Sequence, residues 1–311
     1  MDVVLNTTAP IFLLIFLGFL GTKLKFLPQA SLPALSRFVL YFALPSVMVT
    51  KISSLDLREV VDFAYILVYA FGGLTAFLMS FFISKRLLNE SGGNSTISGI
   101  GAMMPNSSFI GYPILLQYLD NAPVQAFAMS LVVENILFLP LGLILAETYF
   151  KKDSNEEKQV LLTVAKRVAT NPIILSVFLG VLMSLSGMTM PTSVEGSLGL
   201  LASAAAPCAL VVIGGSLVGV SIKGSKTRMA IVAVSKLLIF PATVFCLLMF
   251  FPNMPHVLQV SALLFAAVPM FSIYPIIGEA YGQRSFCSST LMLTTLISFF
   301  SISIMLLILP S

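Results

Sequence analysis

Apolar runs close to the length that crosses a bilayer follow one another along nearly the whole chain. Windows of about 20 residues place them near 3–22, 30–50, 61–83, 96–118, 123–147, 171–189, 194–219, 229–251, 257–281 and 286–309. A backbone in hydrocarbon must satisfy its own hydrogen bonds, so such runs fold as helices or closed barrels. Runs of this length and continuity predict an all-α polytopic membrane protein with ten transmembrane helices. Composition agrees, with hydrophobic residues at 58% and charged residues at 10%, against roughly a quarter charged in a soluble domain. No basic residue precedes the first run, which starts after Asp2. A cleaved leader favours a positive start, so this run is expected to remain in the mature protein.

Positive charge orients the bundle. With the N-terminus outside, the inward connections hold Lys23, Lys25, Lys85, Arg86, Lys151, Lys152, Lys158, Lys166, Arg167, Lys223, Lys226, Arg228 and Arg284, while the outward ones hold Lys51 and Arg58. The positive-inside rule then puts both termini outside. The net charge of +4 is read as this topology signal and implies no nucleic-acid partner. Cys208, Cys246 and Cys287 lack C-x-x-C spacing and read as small core residues, and His256 is the only histidine. No metal site and no cofactor is expected.

The chain also repeats. Pro10 and Pro172, Gly18 and Gly180, and Pro45 and Pro207 are separated by one interval, and Pro105 and Pro269 by an interval two residues longer. These landmarks predict a five-helix repeat over 1–147, a cytoplasmic linker over 148–170, and a second five-helix repeat over 171–311. An odd number of spans per repeat makes the second insert upside down. Chance coincidence of common membrane-helix residues is the competing reading.

Within the fourth run, "IGAMMPNSSFIGYPILL" carries Pro105, Asn106, Ser107, Ser108, Gly111 and Pro113, and its counterpart in the ninth carries Pro269 and Pro275. Broken helices persist in a membrane only where the freed backbone is buried in protein or lines a polar cavity. Crossed broken helices 4 and 9 would aim the N-termini of their second halves at the midplane, where helix dipoles favour an anion.

Several side chains then become candidates. The Asn106 amide could contact a substrate or cap the second half-helix. Ser107 and Ser108 lie in the first turn after the break and could complete an anion cradle, and Ser272 and Tyr274 are the comparable groups after Pro269, with simple packing the alternative for Tyr274. Glu134 lies roughly 18 Å into the fifth helix at 1.5 Å per residue. An acid at that depth is a functional residue by default and suits a proton carrier; a structural pair is the alternative. Asn135 sits beside it. Lys236 lies about 12 Å from Arg228 along the eighth span, placed to snorkel inward, to face the cavity, or to pair with Glu134. Arg37 is expected to snorkel, and Glu279 to pair with Arg284 at the surface.

The segments "MPNSSFIGYPILL", "AAVPMFSIYPIIGEAYG", "RFVLYFALPSVM" and "KLLIFP" resemble the auxin efflux carrier family, which includes plant auxin exporters and bacterial carriers of malonate and other organic acids. Ile114 replaces a leucine of the family's first motif. The resemblance implies a scaffold of spans 1, 2, 6 and 7, a transport part of spans 3–5 and 8–10, elevator-like alternating access, and a homodimer through spans 2 and 7 in the bacterial cytoplasmic membrane. It adds a polar family position near Asn135 and a basic one near Lys236. The short linker departs from the plant exporters and points to a simple carrier of a small mono- or dicarboxylate. A sodium-coupled carrier of similar design is the nearest alternative, and a membrane sensor on a carrier-like fold ranks below it. An integral-membrane enzyme lacks support: neither H-E-x-x-H nor a paired acidic metal motif occurs.

Overall fold

The computed structural model describes residues 2–54, 61–119, 122–150, 166, 169–219 and 224–308, and these described residues form an all-helical bundle without strands. Its helices are α1 (Asp2–Lys23), α2 (Gln29–Ile52), α3 (Phe63–Leu87), α4 (Gly92–Met103), α5 (Tyr112–Tyr118), α6 (Val124–Phe150), α7 (Pro172–Ser186), α8 (Thr192–Ser216), α9 (Lys226–Leu248), α10 (His256–Ala267), α11 (Tyr274–Ala280) and α12 (Arg284–Ile308). Six of them, α2, α3, α6, α8, α9 and α12, are long and apolar enough to cross a membrane. Large side chains such as Leu13, Phe16, Phe71, Phe178 and Phe300 are exposed along the outside. An apolar exterior of this extent is unstable in water and natural in lipid, so the chain is an integral membrane protein.

Local chemistry sets several boundaries. Asp62 accepts the Tyr65 N–H at the start of α3, and Asn171 accepts the Ile173 and Ile174 N–H groups at the start of α7, where Pro172 fills the first position. Gly187, at φ 62°, ends α7 in the left-handed conformation. Arg58, Lys151, Lys152, Lys158, Arg167 and Lys223, used above to orient the chain, lie outside the described residues, as does most of the 148–170 linker.

Four wide, π-type turns interrupt the helices: Val39–Ala43 in α2, Ser107–Gly111 before α5, Val133–Phe138 in α6 and Ser235–Ile239 in α9. A proline follows each by two residues, at Pro45, Pro113, Pro140 and Pro241. Proline lacks an N–H and its ring crowds the carbonyl one turn back; a widened turn gives the ring space while keeping the chain helical.

The helices pack in two sets. α1 lies along the second half of α8, while α7 and the first half of α8 pack on the end of α2. The other set joins α3 to α4 and α9, α4 to α6, α9 to α10, and α11 to α12. The sets meet where α8 touches α5 and where α2 and α7 touch the start of α6. Gly18 and Gly214 let α1 and α8 approach backbone to backbone: a Cβ on Gly18 would meet the Val211 carbonyl, and one on Gly214 the Ile15 carbonyl. Among the described cysteines, Cys287 is buried as expected of a core residue, whereas Cys246 is exposed on the apolar exterior. Arg37 is exposed, and Glu279 pairs with Arg284 at 2.7 Å between exposed side chains.

Gly214→Val should destabilise the bundle by about 1–3 kcal/mol, the usual cost of overpacking. Gly196→Val, where an added Cβ meets nothing within 4 Å, should leave it unchanged. Thermal unfolding of both variants in detergent checks the pair.

Candidate functional site at two unwound segments

The chain leaves helical geometry between α4 and the turn at Ser107, and again between α10 and α11. There the two segments pair with each other. Pro105 and Met270 form an isolated antiparallel bridge, in which the Asn106 N–H donates to the Pro269 carbonyl at 2.8 Å and the Phe271 N–H to the Met104 carbonyl at 3.1 Å. Each break thus supplies the hydrogen-bond partners the other has lost, as the low-dielectric interior demands. Gly111, Pro113 and Pro275, expected with the breaks, instead belong to the helical turns that follow them. Pro275 lies in the first turn of its helix, where its missing N–H would be unpaired anyway, and the wide turn Ser107–Gly111 gives the Pro113 ring space inside a continuing helix.

Asn106 organises the first break. Its Oδ1 accepts the Phe109 N–H at 3.2 Å, its Nδ2 donates to Ser272 Oγ at 2.9 Å, and its carbonyl accepts from Ile110 and Gly111. The capping role is therefore filled, and the amide ties the two breaks together through side chains as well as backbone. Ser107 is buried and Ser108 partly so; the first N–H groups of a helix have no partner within it.

Glu134, in the wide turn of α6, is 5% exposed. Its Oε1 accepts from Ser107 Oγ at 2.5 Å and from the Tyr69 hydroxyl of α3 at 2.9 Å. One turn earlier on both helices, Tyr65 and Ser130 share a hydrogen bond of 2.7 Å. The acid thus touches the first residue after the break. Asn135 faces the same space, its Nδ2 donating back to the Leu131 carbonyl at 2.8 Å.

Lys236 neither lines this space nor makes an ion pair with Glu134. It is fully buried, with Nζ donating to the Ala266 carbonyl at 2.7 Å and lying 4.4 Å from the Phe240 ring centroid. Ala266 belongs to the last turn of α10, so the ammonium occupies the negative end of a helix that stops at the crossing. The wide turn Ser235–Ile239 carries it into the interior, and the stem is too enclosed to snorkel to an interface. Tyr274 also departs from expectation. Its hydroxyl donates to the Ile97 carbonyl of α4 at 2.9 Å, away from the cavity, so it packs between helices.

A cavity of about 850 Å³ adjoins the crossing, with Asn106, Ser107, Ser108, Glu134, Asn135 and Ser272 in its wall. It extends along α6 and α11 to Glu147, Asn171 and Tyr281, and Leu40, Leu139, Leu143, Ile173 and Ile276 make much of the remaining wall apolar. Among the described residues, no lysine, arginine or histidine lines it. Around the helix after the first break, the stacked Tyr112 and Phe127 rings, 4.5 Å apart, and Phe265 form a buried aromatic cluster.

Two residues were not singled out from the sequence. Glu147 accepts from the Tyr281 hydroxyl at 2.7 Å at the far end of the cavity; in sequence it reads as one more charge at a helix end. Arg228, counted above as an inward loop charge, is 3% exposed. Its guanidinium donates to Ser98 Oγ at 2.8 Å, Gln283 Oε1 at 3.1 Å and the Asn94 carbonyl at 2.5 Å, and covers the Phe286 ring at 3.8 Å. It fastens α4 to the α11–α12 corner.

Comparison with known proteins adds three findings. A family model described as membrane transport protein matches residues 3–306. The chain is 27% identical over 291 residues to a protein of Rhizobium meliloti named "Putative malonate transporter", covering 93% of this chain and 90% of that one. It is also 26% identical over 238 residues to a protein of Methanothermobacter thermautotrophicus named "Uncharacterized transporter", covering 76% of this chain and 75% of the relative.

Lys236→Met should cost about 1–3 kcal/mol, because it strips the buried Ala266 carbonyl of its donor. Lys226→Met, at the exposed start of the same helix, should stay within about 0.5 kcal/mol of the parent. Unfolding in detergent at fixed pH measures both.

Proposed function

The chain belongs to the auxin efflux carrier family of membrane transport proteins, and from that premise we propose that it is a secondary carrier of a small organic anion. The observation that carries the proposal is the convergence at one crossing of two second half-helices, Ser107–Tyr118 and Tyr274–Ala280, with their N-termini beside a polar-ended cavity. Such ends bind negative charge without a basic side chain, which accords with the absence of lysine and arginine among the described residues of the wall. The name of the Rhizobium relative supports a short carboxylate as cargo, and the apolar stretch of wall accommodates its carbon skeleton.

The proposed architecture is ten spans in two inverted repeats. Packing supports it: Gly18 of α1 meets Val211 of α8, and Gly180 of α7 meets Met48 and Ile52 of α2. Ile52 stands to Gly214 by the same interval as Gly18 to Gly180, so the first span contacts the seventh as the sixth contacts the second. The set α1, α2, α7 and α8 would be the scaffold, and the remaining helices the elevator that carries the crossing. With the linker inside and both termini outside, the cavity opens toward the cytoplasm and the Tyr112–Phe127–Phe265 stack closes the outer route. Exposed Tyr41 and Phe42 on α2, and the first half of α8, which buries no residue, suit a homodimer through the second and seventh spans in a bacterial inner membrane. Sodium coupling is the second reading, favoured by Glu134 lying at the crossing among hydroxyls; sodium-independent uptake would exclude it.

Asn106→Asp keeps the acceptor for the Phe109 N–H, removes the donor to Ser272 Oγ, so that the Ser272 hydroxyl must donate instead, and adds negative charge at the crossing. It should lower malonate binding about tenfold or more, each tenfold being about 1.4 kcal/mol, in protein that unfolds near the parent temperature. Isothermal titration on purified protein reads this, and unchanged affinity would contradict an anion site at the crossing.

A further inference from the structure

Glu134 and Lys236 are both buried in the helix set that holds the crossing, yet they differ in access. Glu134 lines the cavity and can exchange a proton with water entering there, while Lys236 is sealed away from it. Three features of the lysine's surroundings offset the cost of burying an ammonium: the Ala266 carbonyl at 2.7 Å, the Phe240 face at 4.4 Å and the negative end of α10. Glu134 shares its donors with the proposed anion site. Ser107 Oγ has one proton, now given to Glu134 Oε1. A cargo carboxylate taken up by the turn at Ser107 competes for that proton and brings a second negative charge beside the first.

We infer that Lys236 is a permanent counter-charge which balances Glu134 in the empty carrier and the cargo anion in the loaded one, with Glu134 taking up one proton for each anion bound. This rests on the carrier reading above and adds the stoichiometry and charge of its cycle. The balance is simple. Empty, the moving helices hold the carboxylate of Glu134 and the ammonium of Lys236. Loaded, a proton from the cavity neutralises Glu134, its carboxyl O–H becomes a donor, Ser107 Oγ turns to the cargo, and the cargo's charge replaces that of Glu134. A monoanion therefore crosses with no net charge moved in either direction, sparing the low-dielectric bundle an uncompensated ion. A dianion crosses with one negative charge in excess.

The other groups around Glu134 fit this assignment. From α3 come the neutral hydroxyls of Tyr65 and Tyr69, from α2 the half-exposed Tyr41 in the wall of the same cavity, and from α9 the charge of Lys236. Glu147 lies at the far end of the cavity, engaged by Tyr281. His256 sits exposed at the start of α10, the end away from the crossing.

The test uses the full chain in proteoliposomes, with lactate as monoanion probe and malonate as dianion probe, under separately imposed pH gradients and potassium diffusion potentials. Lactate accumulation by the parent should follow the pH gradient, about tenfold per unit, and ignore the potential. Malonate accumulation should respond to both. Glu134→Gln should invert the lactate result: no response to the pH gradient, and a shift of about fiftyfold per 100 mV, one charge moving through the field. Parent lactate accumulation that follows the potential overturns the inference and leaves the carrier reading standing, and this arm decides the matter even if the variant fails to assemble. A parent that accumulates no member of a panel of short mono- and dicarboxylates under any gradient overturns both.

Discussion

A peptide group without a hydrogen-bond partner is intolerable in the middle of a membrane protein, and the centre of this molecule is arranged around that fact. Pro105 and Pro269 lack backbone donors, and the helices before them end within the bundle. The chain answers with a second interruption placed against the first, so that the residues around Met104–Asn106 and Pro269–Phe271 exchange backbone hydrogen bonds. Asn106 adds a side-chain bond to Ser272 and caps the turn that follows. Neither break would be stable alone. Together they hold four helix ends near one point, which is a concentration of partial charge that ordinary helix packing never produces.

The wide turns extend the same theme to the flanking helices. Each precedes a proline by two residues, and three of them bring inward-facing groups to the neighbourhood of the crossing: Ser107 after the break, Glu134 and Asn135 from α6, Lys236 from α9. An extra residue per turn rotates the side chains that follow and opens space beside the helix. The prolines thus do more than bend helices; they decide which residues reach the interior. Membership of a transport family gives this arrangement a use in the elevator-like cycle proposed above, in which a site assembled from helix ends and wide turns would move as one unit between two faces.

Charge is distributed with matching economy. Positive helix ends converge at the cavity, the negative end of α10 is covered by Lys236, and acids occur both at the crossing and at the cavity's far end. For the proposed carboxylate cargo, a wall with Glu134 and Glu147 and, among its described residues, no basic side chain is an unusual receptacle. It makes sense if the proton belongs to the cycle and the fixed positive charge is held out of the cargo's reach, where it attracts without binding. Arg228 serves differently: its three hydrogen bonds and aromatic contact join α4 to the α11–α12 corner, giving the helices around the crossing a rigid brace.

Much of this was legible in the residues. Apolar runs announce helices because hydrocarbon leaves the backbone no other choice, and Pro105 with Asn106, Ser107 and Ser108 marks a break and its cap because those residues have few other uses in mid-membrane. The depth of Glu134 alone identified it as costly and hence purposeful. Other features depend on distances that no spacing encodes. Tyr274 looks like a partner of the second break, but its hydroxyl finds the Ile97 carbonyl of a helix remote in sequence. Arg228 and Lys236 sit on one helix and both invite a snorkelling reading, yet the fold buries each against a different neighbour. Glu147 becomes part of the cavity only because α11 ends beside α6. Sequence determined where the helices run and where they must fail, since those follow from local hydrogen bonding and hydropathy. Tertiary structure alone decided which failures meet and which charges face them, since contacts between distant segments are set by packing.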